Sequence, residues 1–362
     1  MKSPKCLLKS VALLTLAIPV LAQSGAPAWS VGEISFSGLV DGYYSLNFNH
    51  PASQTNQLRN FDVKANQFSL NMAKLTMEHA AEPVGFRVDL GFGKAFDLVH
   101  GAEAAPSAFR NIEQAYISYK PVQAKGLQID FGKHVTMAGA EVIETHSNWN
   151  YSRSLLFSWA IPYYHMGLRA SMPAGKHFTA GFHLVNGWNN VEDNNSGKTL
   201  GFTGAVVTGP VSWYNNYYAG PEKTGVNEGW RHLYDTTLLV TGSKASAYLN
   251  FDYGVDKLAA GGSSNAWYGF AGAARFALTD KIALAPRLEW FKDRDGFSTG
   301  TVQTLKEFTL TGEYKWAQGL LSRLEYRRDW SDQPFFDRGG TPGVYKHQDT
   351  LLVGFVAFFG PK

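Results

Sequence analysis

Sixteen stretches of the chain alternate between apolar and polar side chains, and the segments joining them are alternately short and long. In GFRVDLGFGK, residues 85–94, Phe86, Val88, Leu90 and Phe92 fall on one side of an extended chain, with Arg87 and Asp89 on the other. A period of two marks a β-strand with one apolar and one polar face. Strands are expected over 32–48, 66–81, 85–96, 111–120, 126–135, 162–172, 177–188, 198–209, 211–220, 232–241, 244–255, 265–278, 281–293, 303–315, 319–330 and 346–359. Most run to about ten to fourteen residues, more than the ~5–6 of ordinary sheets and enough for a tilted strand to cross a bilayer.

The connections constrain the fold further. Tight ones lie at 82–84, 121–126, 173–176, 209–210, 242–244, 279–281 and 316–319. Long, polar ones lie at 49–65, 97–110, 136–161, 189–197, 221–231, 256–264, 294–302 and 331–345. In an up-and-down array every tight turn then falls at one end and every long loop at the other. Outer-membrane barrels have this asymmetry, with short periplasmic turns and long external loops, whereas a Greek-key sandwich has no reason to keep it. The expected fold is all-β, a transmembrane antiparallel β-barrel of about 16 strands. Its phenylalanines face lipid, and its charges face a wet lumen.

The chain ends agree with this reading. Lys2, Lys5 and Lys9 precede the short apolar run Val11–Ala22, and Val20-Leu21-Ala22 suits a cleavage site, so residues 1–22 read as a signal peptide and 23–362 as the barrel. The only cysteine, Cys6, leaves with that peptide, so no disulfide is expected. Three lysines leave as well, taking Lys+Arg from 33 to 30 against 30 Asp+Glu. A neutral mature chain is a poor partner for nucleic acid. The expected location is the bacterial outer membrane, with lipid and the barrel assembly machinery as partners; the closing strand carries Phe355, Phe358 and Phe359 for that machinery to read, with Gly360-Pro361-Lys362 behind it. A homotrimer is left open. Aromatics near strand ends (Tyr43, Tyr44, Phe96, Tyr119, Tyr163, Tyr164, Trp188, Trp213, Tyr217, Tyr218, Trp290, Tyr314, Trp316 and Trp330) suggest two girdles at headgroup level.

Strand parity gives the inward positions. They are Arg87 and Asp89; His165 and Arg169; Arg275; Arg287 and Glu289; Glu307 and Glu313; and Arg323, Glu325, Arg327 and Asp329. A lipid-facing Arg or Lys near the midplane costs roughly 2–4 kcal/mol, which drives such residues inward. They serve either as an electrostatic lining that sorts solutes or as salt-bridge ladders that satisfy one another. Three positions resist simple parity. Lys74 needs a bulge or a snorkelling side chain, Arg328 needs an interface, and Pro286 needs a bulge or a break in pairing.

Loop 136–161 is less polar than a surface loop, with Val142, Ile143, Trp149, Leu155, Leu156, Phe157 and Trp159. It is expected to pack against the barrel and narrow it with Glu141, Glu144 and Arg153; the other reading is an external cap. No catalytic or cofactor motif is complete. Gly197-Lys198-Thr199 ends like a phosphate loop, but Glu192 stands where the first glycine is needed. Asp293-x-Asp295-Gly296 starts like a calcium loop, but Thr304 stands where the bidentate glutamate belongs. Neither cofactor nor metal is expected.

The segments IEQAYISYKP (112–121), GLQIDFGKH (126–134), GAEVIE (139–144), NWNYSRSLLFSWAIPYYHMGLRA (148–170) and VNGWNNVEDNNSGKTLG (185–201) resemble the OmpL-like beta-barrel porins. The likeness runs over most of the mature chain and is sharpest between 112 and 201; beyond 202 it is one of pattern. It implies an outer-membrane barrel passing small hydrophilic solutes or ions by diffusion, and it carries over no catalytic or ligand residue. The expected function is a passive porin. An outer-membrane barrel enzyme of lipase or protease type and a non-conducting structural barrel are the alternatives.

Overall fold

The computed structural model describes residues 30–31, 33–103, 108–257 and 262–360; the signal peptide expected over 1–22 lies outside them. Sixteen long strands follow in order: β1 Ile34–Asn47, β2 Gln67–His79, β3 Val84–Phe92, β4 Ile112–Tyr119, β5 Gln128–Val135, β6 Tyr164–Pro173, β7 Phe178–Val185, β8 Thr199–Thr208, β9 Val211–Gly220, β10 Arg231–Val240, β11 Ala245–Lys257, β12 Ser264–Ala277, β13 Ile282–Asp293, β14 Gln303–Ala317, β15 Leu320–Ser331 and β16 His347–Phe359. Each pairs antiparallel with the next, and β16 returns to β1 from Thr350↔Asn47 to Phe359↔Gly38, closing the barrel. Closure leaves no open sheet edge in hydrocarbon, where an unpaired backbone group costs several kcal/mol. All the tight turns do lie at one end, and all the long loops at the other.

The faces sort as expected. Along β14 buried positions alternate with exposed or half-exposed ones for most of the strand. Leu249, Leu288, Phe270 and Ile117 are exposed on the outside, while Asp235, Asp252, Thr309 and Asp329 are buried inside. Exposed Tyr119, Trp213, Tyr217 and Trp316 fit a girdle. Tyr43, Phe96, Tyr163, Tyr164 and Tyr218 do not, because each is buried in the interior. The strand expected over 85–96 ends at Phe92, where Gly93 takes a φ of 115° and a short helix, α1 (Lys94–Val99), begins.

Two of the parity problems resolve by different devices. Asp41 pairs with Met72 and Gly42 with Leu70, so Asn71 is an extra residue in β2 and everything after it changes face. Lys74 is thereby turned inward. A second bulge leaves Glu113 unopposed, since Asp89 pairs with Gln114 and Leu90 with Ile112. Pro286 instead causes a local break. Between β12 and β13 the ladder stops at Ala273↔Arg287 and resumes at Phe276↔Leu284 in unchanged register, as a residue without an N–H requires.

Loop 48–66 and loop 136–163, which carries a second short helix α2 (Leu155–Trp159), both fold inward and meet each other. Phe61 packs on Phe157 and Tyr163, the Arg153 guanidinium lies 4.5 Å from the Phe61 ring centre, and Trp159 Nε1 donates to the Leu58 carbonyl at 3.2 Å. Substituting an outward residue should report the lipid face directly. Leu249→Arg, near the middle of β11, is expected to lower folding stability in vesicles by about 2–4 kcal/mol in a urea titration, with Leu249→Phe close to neutral.

Candidate pore constriction

The two bulges create the first feature of the interior. Lys74, from the switched half of β2, places its ammonium 2.8 Å from Asp89 and against Glu113 and Glu144. The carboxylates of Asp89, Glu113 and Glu144 lie within 4.8 Å of one another, a spacing a cation can bridge. Here the bridging charge is the lysine's own. Arg87 adds a second cation beside Asp89 at 3.0 Å. Burial alone would raise the Glu144 carboxyl, but Lys74 beside it holds it below the usual range, so the pair stays ionised. Lys74 thus ties the infolded loop to the β2–β4 wall.

A second wall, β13–β15, grips the loop by its backbone. Arg287 on β13 donates to the Ser152 carbonyl at 2.9 Å and to Glu141 at 2.7 Å, with Glu289 and Glu307 beside it. Arg323 on β15 donates to the carbonyls of Thr145 and Asn150, at 2.7 and 3.0 Å, and to Glu313 at 2.9 Å. Arg327 reaches the Arg153 carbonyl. Glu325 accepts the amides of Tyr151 and Ser152 at 2.6 and 2.9 Å. A guanidinium carries five donors in a rigid fork, which lets one side chain hold a carboxylate and a chain carbonyl together.

Most of the side chains expected to face the lumen therefore lie inside the barrel yet away from water. Arg287, Arg323, Glu325, Arg327 and Asp329 are at most 1% exposed. Glu141 also accepts the Ser154 amide at 2.6 Å, and Arg153 turns back to the carbonyls of Val142, Ile143 and Tyr151. His165 is buried, its ring nitrogens against the Gly187 carbonyl and Thr136 Oγ1 and its ring stacked on Tyr218. Arg87 and Arg275 keep partial exposure while Arg169 is buried, and each stands beside a carboxylate: Asp89, Glu313 and Asp130. Sequence reasoning did not single out Arg59. It pairs with Asp62 and, at 2.7 Å, with Asp329. No periodic signal marks a charge in a loop that folds inward.

The third wall differs. Strands β7, β8 and β9 contain no Asp, Glu, Lys or Arg. With β5 and β6 they border a polar pocket. Gln128, Arg169, Thr179, His183, Thr203 and Asn216 line it, and Met137 of the infolded loop bounds it, its carbonyl accepting from Asn216 Nδ2 at 3.0 Å.

Loop chemistry at the outer rim is also settled by contacts. Asp293 accepts the amides of Phe297, Ser298 and Thr299, and Asp295 accepts the Ala266 amide and Arg294. The calcium-like stretch is an internally satisfied turn. In the loop after β9, Glu222 accepts the Trp188 amide at 2.9 Å and Thr199 Oγ1 at 2.6 Å. Burial pushes its carboxyl up to about 7, outweighing the lowering by Arg231 and these donors.

The geometry defines an outer-membrane β-barrel of the porin class: a closed sixteen-strand wall with a long loop folded into its lumen. The chain belongs to the family described as "Putative beta-barrel porin-2, OmpL-like", which it matches over residues 33–359. No curated protein sequence matches it. Among solved structures it is similar to the outer-membrane expressed OmpT of Vibrio cholerae, at a TM-score of 0.60 and 12% identity over 90% of this chain and 97% of that one, a protein also solved in a trimer form. It is similar as well to an anion-selective porin from Comamonas acidovorans (0.60, 11%, 90% and 99%) and to the outer membrane channel DcaP of Acinetobacter baumannii (0.58, 12%, 91% and 97%). At these identities the likeness is one of fold.

Two outcomes follow from the loop contacts. Glu325→Ala strands two buried amides at about 1–3 kcal/mol each, and should speed amide exchange at Tyr151 and Ser152 while leaving barrel strands protected. Glu222 binds its proton more tightly folded than unfolded, so its contribution to stability is full below pH 4.5 and falls as pH rises toward 7. Protease nicking of loops 186–198 and 221–230 should therefore increase between pH 5 and 8, by up to about 3 kcal/mol of local stability. Glu222→Gln should flatten that dependence.

Proposed function

We propose that this protein is a passive, water-filled channel of the outer membrane for small hydrophilic solutes or ions, with residues 1–22 directing its export. The observation that carries this reading is the anchoring of loop 136–163 inside the barrel with a polar pocket left beside it. The loop is bound to β13–β15 through Arg287, Arg323, Glu325 and Arg327, and empty polar volume remains against β5–β9. An infolded loop held by buried ion pairs narrows a lumen and resists being swept out by flow. The channel and porin titles of the similar structures support the same reading, and the trimer form of one supports a homotrimer. Arg87 and Arg275 are the partly exposed cations beside the solute path, each offset by its carboxylate. The deeper arginines act on conduction by fixing the loop.

The test is conductance of the refolded mature chain in a planar lipid bilayer under a salt gradient. Stepwise, long-lived openings of weak ion preference are expected, because the exposed arginines are paired. A chain that inserts and stays silent would overturn the channel and leave a structural barrel or an enzyme.

A further inference from the structure

We infer that the pocket against β5–β9 is a binding subsite for neutral, polyhydroxylated solutes of sugar size; the inference rests on the channel reading above. The charge of the barrel interior is distributed unevenly. Strands β13, β14 and β15 project Arg287, Glu289, Glu307, Glu313, Arg323, Glu325, Arg327 and Asp329 inward, and the loop and its ion pairs cover most of them. Strands β7, β8 and β9 project none, and the empty space lies on their side.

Among the described residues one ion pair reaches this pocket, and it is closed on itself. Asp130 accepts from Arg169 Nε at 2.8 Å, Ser118 Oγ at 2.6 Å and Gln128 Nε2 at 3.0 Å. The Arg169 guanidinium rests 4.9 Å from the Tyr116 ring centre. The pocket's formal charge is zero. Asn216 gives its amide hydrogens to the Met137 carbonyl and Asp235, so what remains on offer is chiefly the Thr179 and Thr203 hydroxyls and the amide oxygens of Gln128 and Asn216, beside Ala170, Gly204 and Ala205. Amide and hydroxyl groups can each donate and accept, as sugar hydroxyls do. A bare ion gains little there, since no uncompensated charge repays its lost hydration.

The experiment compares sucrose with succinate in swelling of vesicles holding the mature protein, with chloride current recorded alongside. Two blocking variants are used, Thr203→Trp in the pocket and Thr179→Trp nearer the short-turn mouth, with Leu238→Trp on the lipid face as control; β-sheet circular dichroism and heat-shifted gel mobility verify folding. The expected result is sucrose entry in the wild type and the control, slowed about tenfold by each blocking tryptophan, with chloride current reduced less. Sucrose entry unchanged by both blocking variants would overturn the subsite, as would succinate entering faster than sucrose. Chloride current without sucrose entry would overturn the subsite and leave the channel standing. Vesicles passing neither ions nor sucrose would overturn both.

Discussion

The interior depends on guanidinium groups of the barrel wall holding the main chain of an infolded loop. Arg287 and Arg323 each bind a wall carboxylate and loop carbonyls at once, Arg327 reaches the same loop, and Glu325 returns the favour by accepting two loop amides. An irregular segment inside a barrel needs partners for its backbone groups, because a buried polar group without one costs about 1–3 kcal/mol. Charges on a barrel wall need counter-charges for the same reason. Each solves the other's problem, and both are then withdrawn from water.

The consequence for function is a division of labour inside one lumen. The charge-rich wall is spent on architecture, and the charge-free wall of β7–β9 is left beside the open volume. Lys74 completes the arrangement from the third side. It reaches the interior only because Asn71 is an extra residue in its strand, and it meets Glu113 only because that residue is bulged as well. Bulges of this kind re-aim side chains without interrupting a barrel.

Much of the fold was legible in the residues. Alternation and one-ended loops led to sixteen strands with the right neighbours, and Lys74 announced its bulge by breaking parity. Pro286 announced its break by lacking a donor. The girdle reading went astray at Tyr43, Tyr164 and Tyr218 because a ring at a strand end serves headgroup and lumen alike; only the side it faces separates the two, and parity there is disturbed by bulges and loop packing. The inward charges were identified by strand parity, but their access to solvent was not. Arg59 left no signal, since its partner Asp329 lies 270 residues away.

What the sequence determined by itself is the closed barrel, because strand period and strand length are local and recur over sixteen strands, and seven tight turns alternate with eight long loops. What the tertiary structure alone decided is which charges meet water. Arg287 and Ser152 are separated by 135 residues, and Arg323 and Asn150 by 173. Contacts so distant in the chain exist only once the wall has closed and brought a cation within reach of a loop carbonyl. No local pattern can encode that, since the same arginine is a pore charge when the loop is out and a clamp when it is in.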